Sequence, residues 1–179
     1  DGSLRYAQQS SAVPGEANTT TGIGFTVDGT ISASRASGRA LNLNRNSDGA
    51  AAVIYRSGTQ VGSITVTTTA TAYNTSSDYR LKENVVPLTG AVDRLNQLQV
   101  HRFNFIADPD KTVDGFLAHE AQAVIPECVT GEKDAVDDDS NPIYQGIDQS
   151  KLVPLLTAAL QEALAKIEDL EGRLTAAGL

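Results

Sequence analysis

The first 75 or so residues hold too few large apolar side chains to enclose a core of their own. The only aromatic residues before Ser77 are Tyr6, Phe25, Tyr55 and Tyr73, and the 179-residue chain has neither Trp nor Met. Fixing one residue's backbone costs about 1–2 kcal/mol of conformational entropy, and that cost must be offset by buried apolar surface. Thr, Ser, Gly and Asn dominate this half and bury little.

The pattern is nevertheless that of strands. Residues 1–20 read as a linker, with Pro14-Gly15 and a polar end at Asn18-Thr19-Thr20. Gly24-Phe25-Thr26-Val27, Thr30-Ile31-Ser32-Ala33, Leu41-Asn42-Leu43-Asn44 and Ala50 to Tyr55 are short strand candidates, with turns at Asp28-Gly29, Asn46 to Gly49 and Arg56 to Thr59. From Gln60 to Thr67 apolar and polar residues alternate, with many β-branched side chains. This half is therefore either a loose extended stalk or a segment that borrows its core from other chains. The alternation favours the second. Three copies wound about one axis would bury one apolar stripe per strand and leave Thr, Ser and Asn outside, which is the logic of a β-structured fibre stem.

Charge separates the two halves. Up to Ser77 there is no lysine, and five arginines against four acids give +1, which leaves −9 of the net −8 to the rest. A net-acidic chain argues against binding a phosphate backbone. No run of about 18 apolar residues is present, which argues against a membrane span. The single cysteine, Cys128, excludes an internal disulfide, and its apolar surroundings suggest a buried thiol. The absence of an initial Met and of a signal-like apolar segment reads as a piece of something longer.

After Asn84 the periodicity changes to small α+β elements. Val92, Leu95 and Leu98 have helical spacing, with Thr89 as the expected N-cap. Val100 to Phe105 reads as a strand stopped by Ala107-Asp108-Pro109-Asp110. Val113 to Ala118 reads as a second strand, Glu120 to Val124 as a short helix and Ile143 to Ile147 as another strand. Asp134, Asp137, Asp138 and Asp139 lack the spacing, central Gly and final Glu of a calcium loop, so a solvated turn is expected. His101 and His119 have no second His at helical spacing, and neither a metal nor a cofactor is expected.

The last helix, expected over about 149–174, carries a seam. Val153, Leu156, Leu160, Ala163, Ile167, Leu170 and Leu174 recur at alternating steps of three and four, the a/d pattern of a coiled coil. Asp148 or Ser150 can cap it, and Pro154 falls in the first turn, where proline is tolerated. Leu152, Leu155 and Leu164 widen the stripe, so a helix docked on its own domain is the competing reading.

Between the halves lies Ser76-Ser77-Asp78-Tyr79-Arg80-Leu81-Lys82-Glu83-Asn84. A serine becomes a nucleophile when a base takes its proton, and lysine can be that base when it is neutral. In a tight turn, five-residue spacing can bring Ser77 Oγ to Lys82 Nζ. Arg80 would either help keep Lys82 neutral or hold the Asp78 carboxylate.

This run resembles the junction of the self-cleaving C-terminal chaperone domains of bacteriophage tail spikes and tail fibres. The endosialidase spikes are the best-known members, and the myelin regulatory factor is a relative. Two further blocks are similar: Asp114 to Gln122 with Pro126-Glu127, and Ile143 to Asp148 with Ser150 to Val153. The closing heptad helix is the fourth likeness, and His119 departs from the Gln often found there. The resemblance implies a fibre stem over 1–77 and a chaperone domain over 78–179. It implies a homotrimer, whose partner and folding client is its own upstream stem, wound as a triple β-helix. Ser77 is implied as nucleophile and Lys82 as general base, with Ser76, Asp78, Arg80 and Glu83 as neighbours of a cut at Ser77–Asp78. An N–O acyl shift at Ser76–Ser77 stays open. The stem would reside in the virion tail and the released domain in the host cytoplasm. The alternative is a trimerisation or receptor-binding tip that never cuts.

Overall fold

The computed structural model describes residue 14, residues 19–25 and residues 29–178. Most of the linker read over residues 1–20, and the Thr26-Val27-Asp28 part of the first strand and turn, lie outside the described residues. The chain is mixed α+β, with several small sheets and one long C-terminal helix. It divides into two compact units, Asp1–Glu83 and Asn84–Leu179.

In the first unit, strands β1 (Gly22–Phe25) and β2 (Ile31–Ser34) form an antiparallel pair, with Phe25 opposite Ile31. Strands β3 (Gly49–Arg56), β4 (Thr59–Val66) and β5 (Thr71–Thr75) form an antiparallel meander in that order. The β3–β4 loop is the two residues Ser57 and Gly58, at φ of 48° and 79°. Positive φ at both positions matches the right-handed twist of a hairpin, and Gly58 adopts it without steric cost. At the next turn Thr67 Oγ1 accepts the Ala70 N–H at 3.1 Å, and the chain returns as β5. The sequence reading missed β5 because Thr-Ala-Tyr-Asn-Thr holds one large apolar side chain. Pairing with β4, Tyr73 opposite Ile64, makes it a strand.

Leu41 to Asn44 is a correction. These residues form no strand, and Leu41 and Leu43 are exposed. Alternation alone does not make a strand without a partner backbone, and asparagine is a poor strand former. Among the described residues of this unit no large apolar side chain is buried; Phe25 is 64%, Ile31 70% and Tyr73 82% exposed. The described strands are held by hydrogen bonds, with most of their large apolar side chains exposed.

The second unit has a core. Helix α1 (Ala91–Leu95), hairpin strands β6 (His101–Phe105) and β7 (Asp108–Gly115), helix α2 (Ala118–Val124), the short pair β8 (Val129–Thr130) and β9 (Gly146–Ile147), and helix α3 (Val153–Ala176) follow in order. Ala91, Ala121, Ile125, Cys128, Leu152, Leu155 and Ala159 are buried together, packed by Val92, Leu95, Phe116 and Ile147 among others. Three of the seven are alanines, which let the helix backbones approach closely. Burial raises the Cys128 thiol above its ordinary range, and the nearby Glu127 charge adds to this. Such a thiol packs as a small apolar side chain.

Polar contacts tie the helices. The Glu162 carboxylate of α3 accepts the N–H groups of Ala91 and Val92 at 2.9 and 3.0 Å. It supplies the cap expected from Thr89; the residue at that position is Gly90, in the left-handed region with no side chain to offer. Arg94 donates twice to the Val124 carbonyl, at 3.0 and 2.9 Å, joining α1 to the end of α2.

Three further boundaries differ from expectation. Asp108 and Pro109 belong to β7, because the turn lies at Ile106-Ala107 and both strands of a two-stranded sheet are edges, where proline is tolerated. The strand read to Ala118 ends at Gly115, and Ala118 opens α2. The strand read over Ile143–Ile147 is only Gly146–Ile147, since β8 offers just two residues to pair with. The Asp137 loop is closed by its own carboxylate, which accepts the N–H groups of Asp139 and Asn141.

Helix α3 follows a 3-10 turn, Gln149–Leu152, capped by Asp148 through the Ser150 N–H, with Pro154 in its first turn. It carries two apolar stripes. Leu152, Leu155 and Ala159 dock on the unit's own core at 3–4% exposure. The seam residues Val153, Leu156, Leu160, Ile167, Leu170 and Leu174 stand 48–61% exposed, with Ala163 half-buried. Val153, Leu156 and Leu160 each follow a docked residue by one position, which at 3.6 residues per turn is about 100° around the helix. Docking on the domain therefore leaves the seam free.

Candidate active site

The run from Ser76 to Lys82 is built from a strand end and one tight turn. Ser76 continues the β5 ladder: its N–H donates to the Val61 carbonyl at 3.2 Å and its hydroxyl to the Gln60 carbonyl at 3.4 Å. Asp78 then caps a one-turn 3-10 helix, Tyr79–Leu81, in an extended conformation at φ −64°, ψ 137°. The turn is closed by Leu81 N–H to the Asp78 carbonyl at 3.1 Å and Lys82 N–H to the Tyr79 carbonyl at 3.0 Å. Lys82 leaves it extended, at φ −126°, ψ 142°.

This geometry folds the chain back over itself between residues 77 and 82. Lys82 Nζ lies 2.8 Å from Ser77 Oγ. The contact serves either direction: an ammonium donates to the hydroxyl oxygen, and a neutral amine accepts the hydroxyl proton. Ser76 and Ser77 thus differ. The first is spent on the strand edge, and the second meets the lysine.

Arg80 does not meet Lys82. Its guanidinium takes the Asp78 carboxylate in a two-pronged pair, Nε to Oδ1 at 2.9 Å and Nη2 to Oδ2 at 2.7 Å, and its backbone N–H adds a third bond to Oδ1 at 2.9 Å. Of the two roles that the sequence allowed for Arg80, this is the placement of the Asp78 carboxylate. The Arg80 side chain, then its N–H, hold the Asp78 carboxyl below the ordinary aspartate range, with the Lys82 charge adding to the effect. The Arg80 guanidinium is raised in return. Ser77, Lys82 and Glu83 are all exposed in the single chain.

The seam residues belong to α3 in the second unit. Among the described residues no cluster of His, Cys, Asp and Glu has the arrangement of a metal site. No helix of the described residues is long and apolar enough to cross a membrane. His101 Nε2 and Glu120 Oε2 sit 2.5 Å apart, joining β6 to α2. Sequence reasoning left both unassigned, and only the fold brings them together. The capping role of Glu162 depends on a partner 71 residues away, which no local pattern contains.

Residues 77–130 match a peptidase family described as Chaperone of endosialidase. The match opens on Ser77, takes in Lys82 and runs through α2 to β8; the stretch from Ile143 to Asp148 and α3 lie beyond it. It supports a C-terminal intramolecular chaperone domain of the endosialidase type, and the family's name suggests autoproteolysis of the serine-peptidase kind. No curated protein matches the chain.

Proposed function

We propose that residues 78–179 trimerise, template the folding of a fibre stem formed by residues 1–77, and are then cut away by a Ser77–Lys82 dyad. The observation that carries this reading is the 2.8 Å contact between Lys82 Nζ and Ser77 Oγ at the start of the family match. The exposed apolar side chains of the first unit's strands and the exposed seam of α3 support the trimer. Intertwined strands close long loops before any contact rewards them, so they nucleate slowly. A helical clamp holds three chain ends in register at high effective concentration. Once the clamp is cut off, the wound stem is kinetically trapped.

The chemistry has one constraint. Neutral Lys82 takes the Ser77 hydroxyl proton, the alkoxide attacks a carbonyl carbon, the C–N bond breaks and the leaving nitrogen takes up the proton. Water then hydrolyses the ester, giving a carboxylic acid and restoring the hydroxyl. Attack by Ser77 on its own carbonyl would close a four-membered ring. A cut at Ser77–Asp78 therefore uses the serine of one copy on the carbonyl of another. Attack on the upstream Ser76 carbonyl closes a five-membered ring within one copy and cuts at Ser76–Ser77. The N-terminal fragments from the two routes differ by one serine.

Intact-mass analysis of the freshly made protein tests the proposal. Cutting at Ser77–Asp78 gives pieces of about 77 and 102 residues, and Ser77→Ala leaves one chain of 179. A wild-type chain that assembles and stays whole would instead favour an attached trimerisation tip.

A further inference from the structure

We infer that Arg80 is a positioning residue that occupies the Asp78 carboxylate and so leaves the Lys82 amine to Ser77. This deepens the dyad reading and rests on it. The turn holds two cations and one central anion in six residues. Asp78 is four residues from Lys82, and a carboxylate at that spacing is the natural ion-pair partner of an exposed lysine. In the structure that pairing is pre-empted. Arg80 engages both oxygens of Asp78, with two side-chain bonds at 2.9 and 2.7 Å and a backbone bond at 2.9 Å. Lys82 Nζ turns instead to a neutral hydroxyl at 2.8 Å.

The difference matters because only a neutral amine can take the serine proton. A free carboxylate beside the amine stabilises the ammonium form, and an ammonium has no lone pair for the hydroxyl. A guanidinium suits the decoy role: it stays charged, and its planar fork matches a carboxylate in two bonds where an ammonium makes a point contact. The same pair also braces the 3-10 turn that sets the Ser77–Lys82 distance, since Asp78 is its cap. The ionisable groups of the turn are Asp78, Tyr79, Arg80, Lys82 and Glu83, and the strands leading into it, β4 and β5, bring only the Tyr73 phenol. Glu83 is a second carboxylate next to Lys82 in sequence, but no hydrogen bond or ion pair joins it to the amine.

The test is the pH dependence of self-cleavage. The full chain is isolated uncut in denaturant, refolded at a series of values from about pH 6 to about pH 10, and the rate of fragment appearance is read by intact mass. Arg80→Gln frees the Asp78 carboxylate, and the midpoint of the rate profile should rise by about one pH unit. Asp78→Asn combined with Arg80→Gln removes the carboxylate as well and should return the midpoint to the wild-type value, whatever happens to the plateau rate. If Arg80→Gln does not cleave at all, rescue by the added Asp78→Asn supports the inference, and failure to rescue overturns it. A pair that only braced the turn would slow both variants with no shift in midpoint, which also overturns it. Ser77→Ala separates the two levels. Wild-type cleavage lost in Ser77→Ala, with an unshifted Arg80→Gln profile, overturns the role of Arg80 and leaves the dyad standing. Cleavage that survives Ser77→Ala, or no wild-type cleavage, overturns both.

Discussion

The carboxylate of Glu162, midway along the last helix, caps the first helix of its domain by accepting the Ala91 N–H at 2.9 Å. A helix as short as α1 has no stability of its own, and four unsatisfied N–H groups at its start. Its cap comes from the element on which it packs, so the two helices form together.

That contact makes the domain acid-sensitive. The N–H groups of Val92 and Ala91 hold the Glu162 carboxyl below the ordinary glutamate range, with the Lys166 charge adding to the effect. A carboxyl whose folded pKa is depressed stabilises the fold fully above its unfolded value of roughly 4.3, and that contribution is lost as pH falls through the lower folded value. Glu162→Gln should lower the melting temperature at neutral pH. The gap from wild type should close as pH falls below about 4. A gap that stays constant to pH 2 would mean that the carboxylate charge contributes nothing.

The seam should be needed for assembly and not for the fold of the single domain. Leu160→Asp with Ile167→Asp places charges on the stripe that is 61% and 49% exposed in one chain. In a trimer each buried, unpaired charge costs on the order of 3–5 kcal/mol. Light scattering should then report monomers whose far-ultraviolet circular dichroism still shows a folded second unit. A double variant that remains trimeric would refute the seam.

Ile125→Ala tests the opposite face of the argument. Ile125 is 1% exposed at the centre of the core, so the cavity should destabilise the second unit by about 2–5 kcal/mol. Cleavage should fall in proportion to the folded fraction. Denaturant melts followed alongside cleavage would show whether the two losses track each other.

Lys82→Arg keeps a positive charge at the turn but cannot supply a base, because a guanidinium stays protonated near neutral pH. Cleavage should slow by about 10²–10⁴-fold, the usual contribution of a general base. Intact mass after extended incubation measures it, and a wild-type rate in Lys82→Arg would remove lysine from the mechanism.

Ser77→Ala should still assemble and wind its stem, since it removes a nucleophile and no packing contact. A stem in this variant that melts no higher than unassembled chains would separate folding from the domain proposed to drive it.

Local pattern made β4 legible, because apolar and β-branched residues alternate there over a run long enough to exclude a helix. It made α3 legible through its heptads and the Asp148 cap. The same logic failed at Leu41 to Asn44, where alternation had no neighbouring strand, and at β5, which is a strand only because β4 lies beside it. Thr89 looked like a cap by composition; Gly90 and the distant Glu162 took the position. The spacing of Ser77 and Lys82 was visible, and so was the ambiguity between Ser76 and Ser77. What no spacing rule contained was the use of each hydroxyl, one bonded to the Gln60 carbonyl and the other to Lys82.

The two stripes of α3 give the helix a fixed angular phase. Its first turns are keyed into the domain by Leu155 and Ala159, and the exposed seam continues along the same shaft beyond them. Inserting one residue after Ala163 would leave the distal heptads intact but rotate them by about 100° against the keyed end. The seam would then be split, with Val153 to Ala163 on one face of the helix and Ile167 to Leu174 on another. Helix length between Ala159 and Ile167 is therefore as constrained as its composition, because a one-residue change there would break the continuity of the seam while leaving the dock intact.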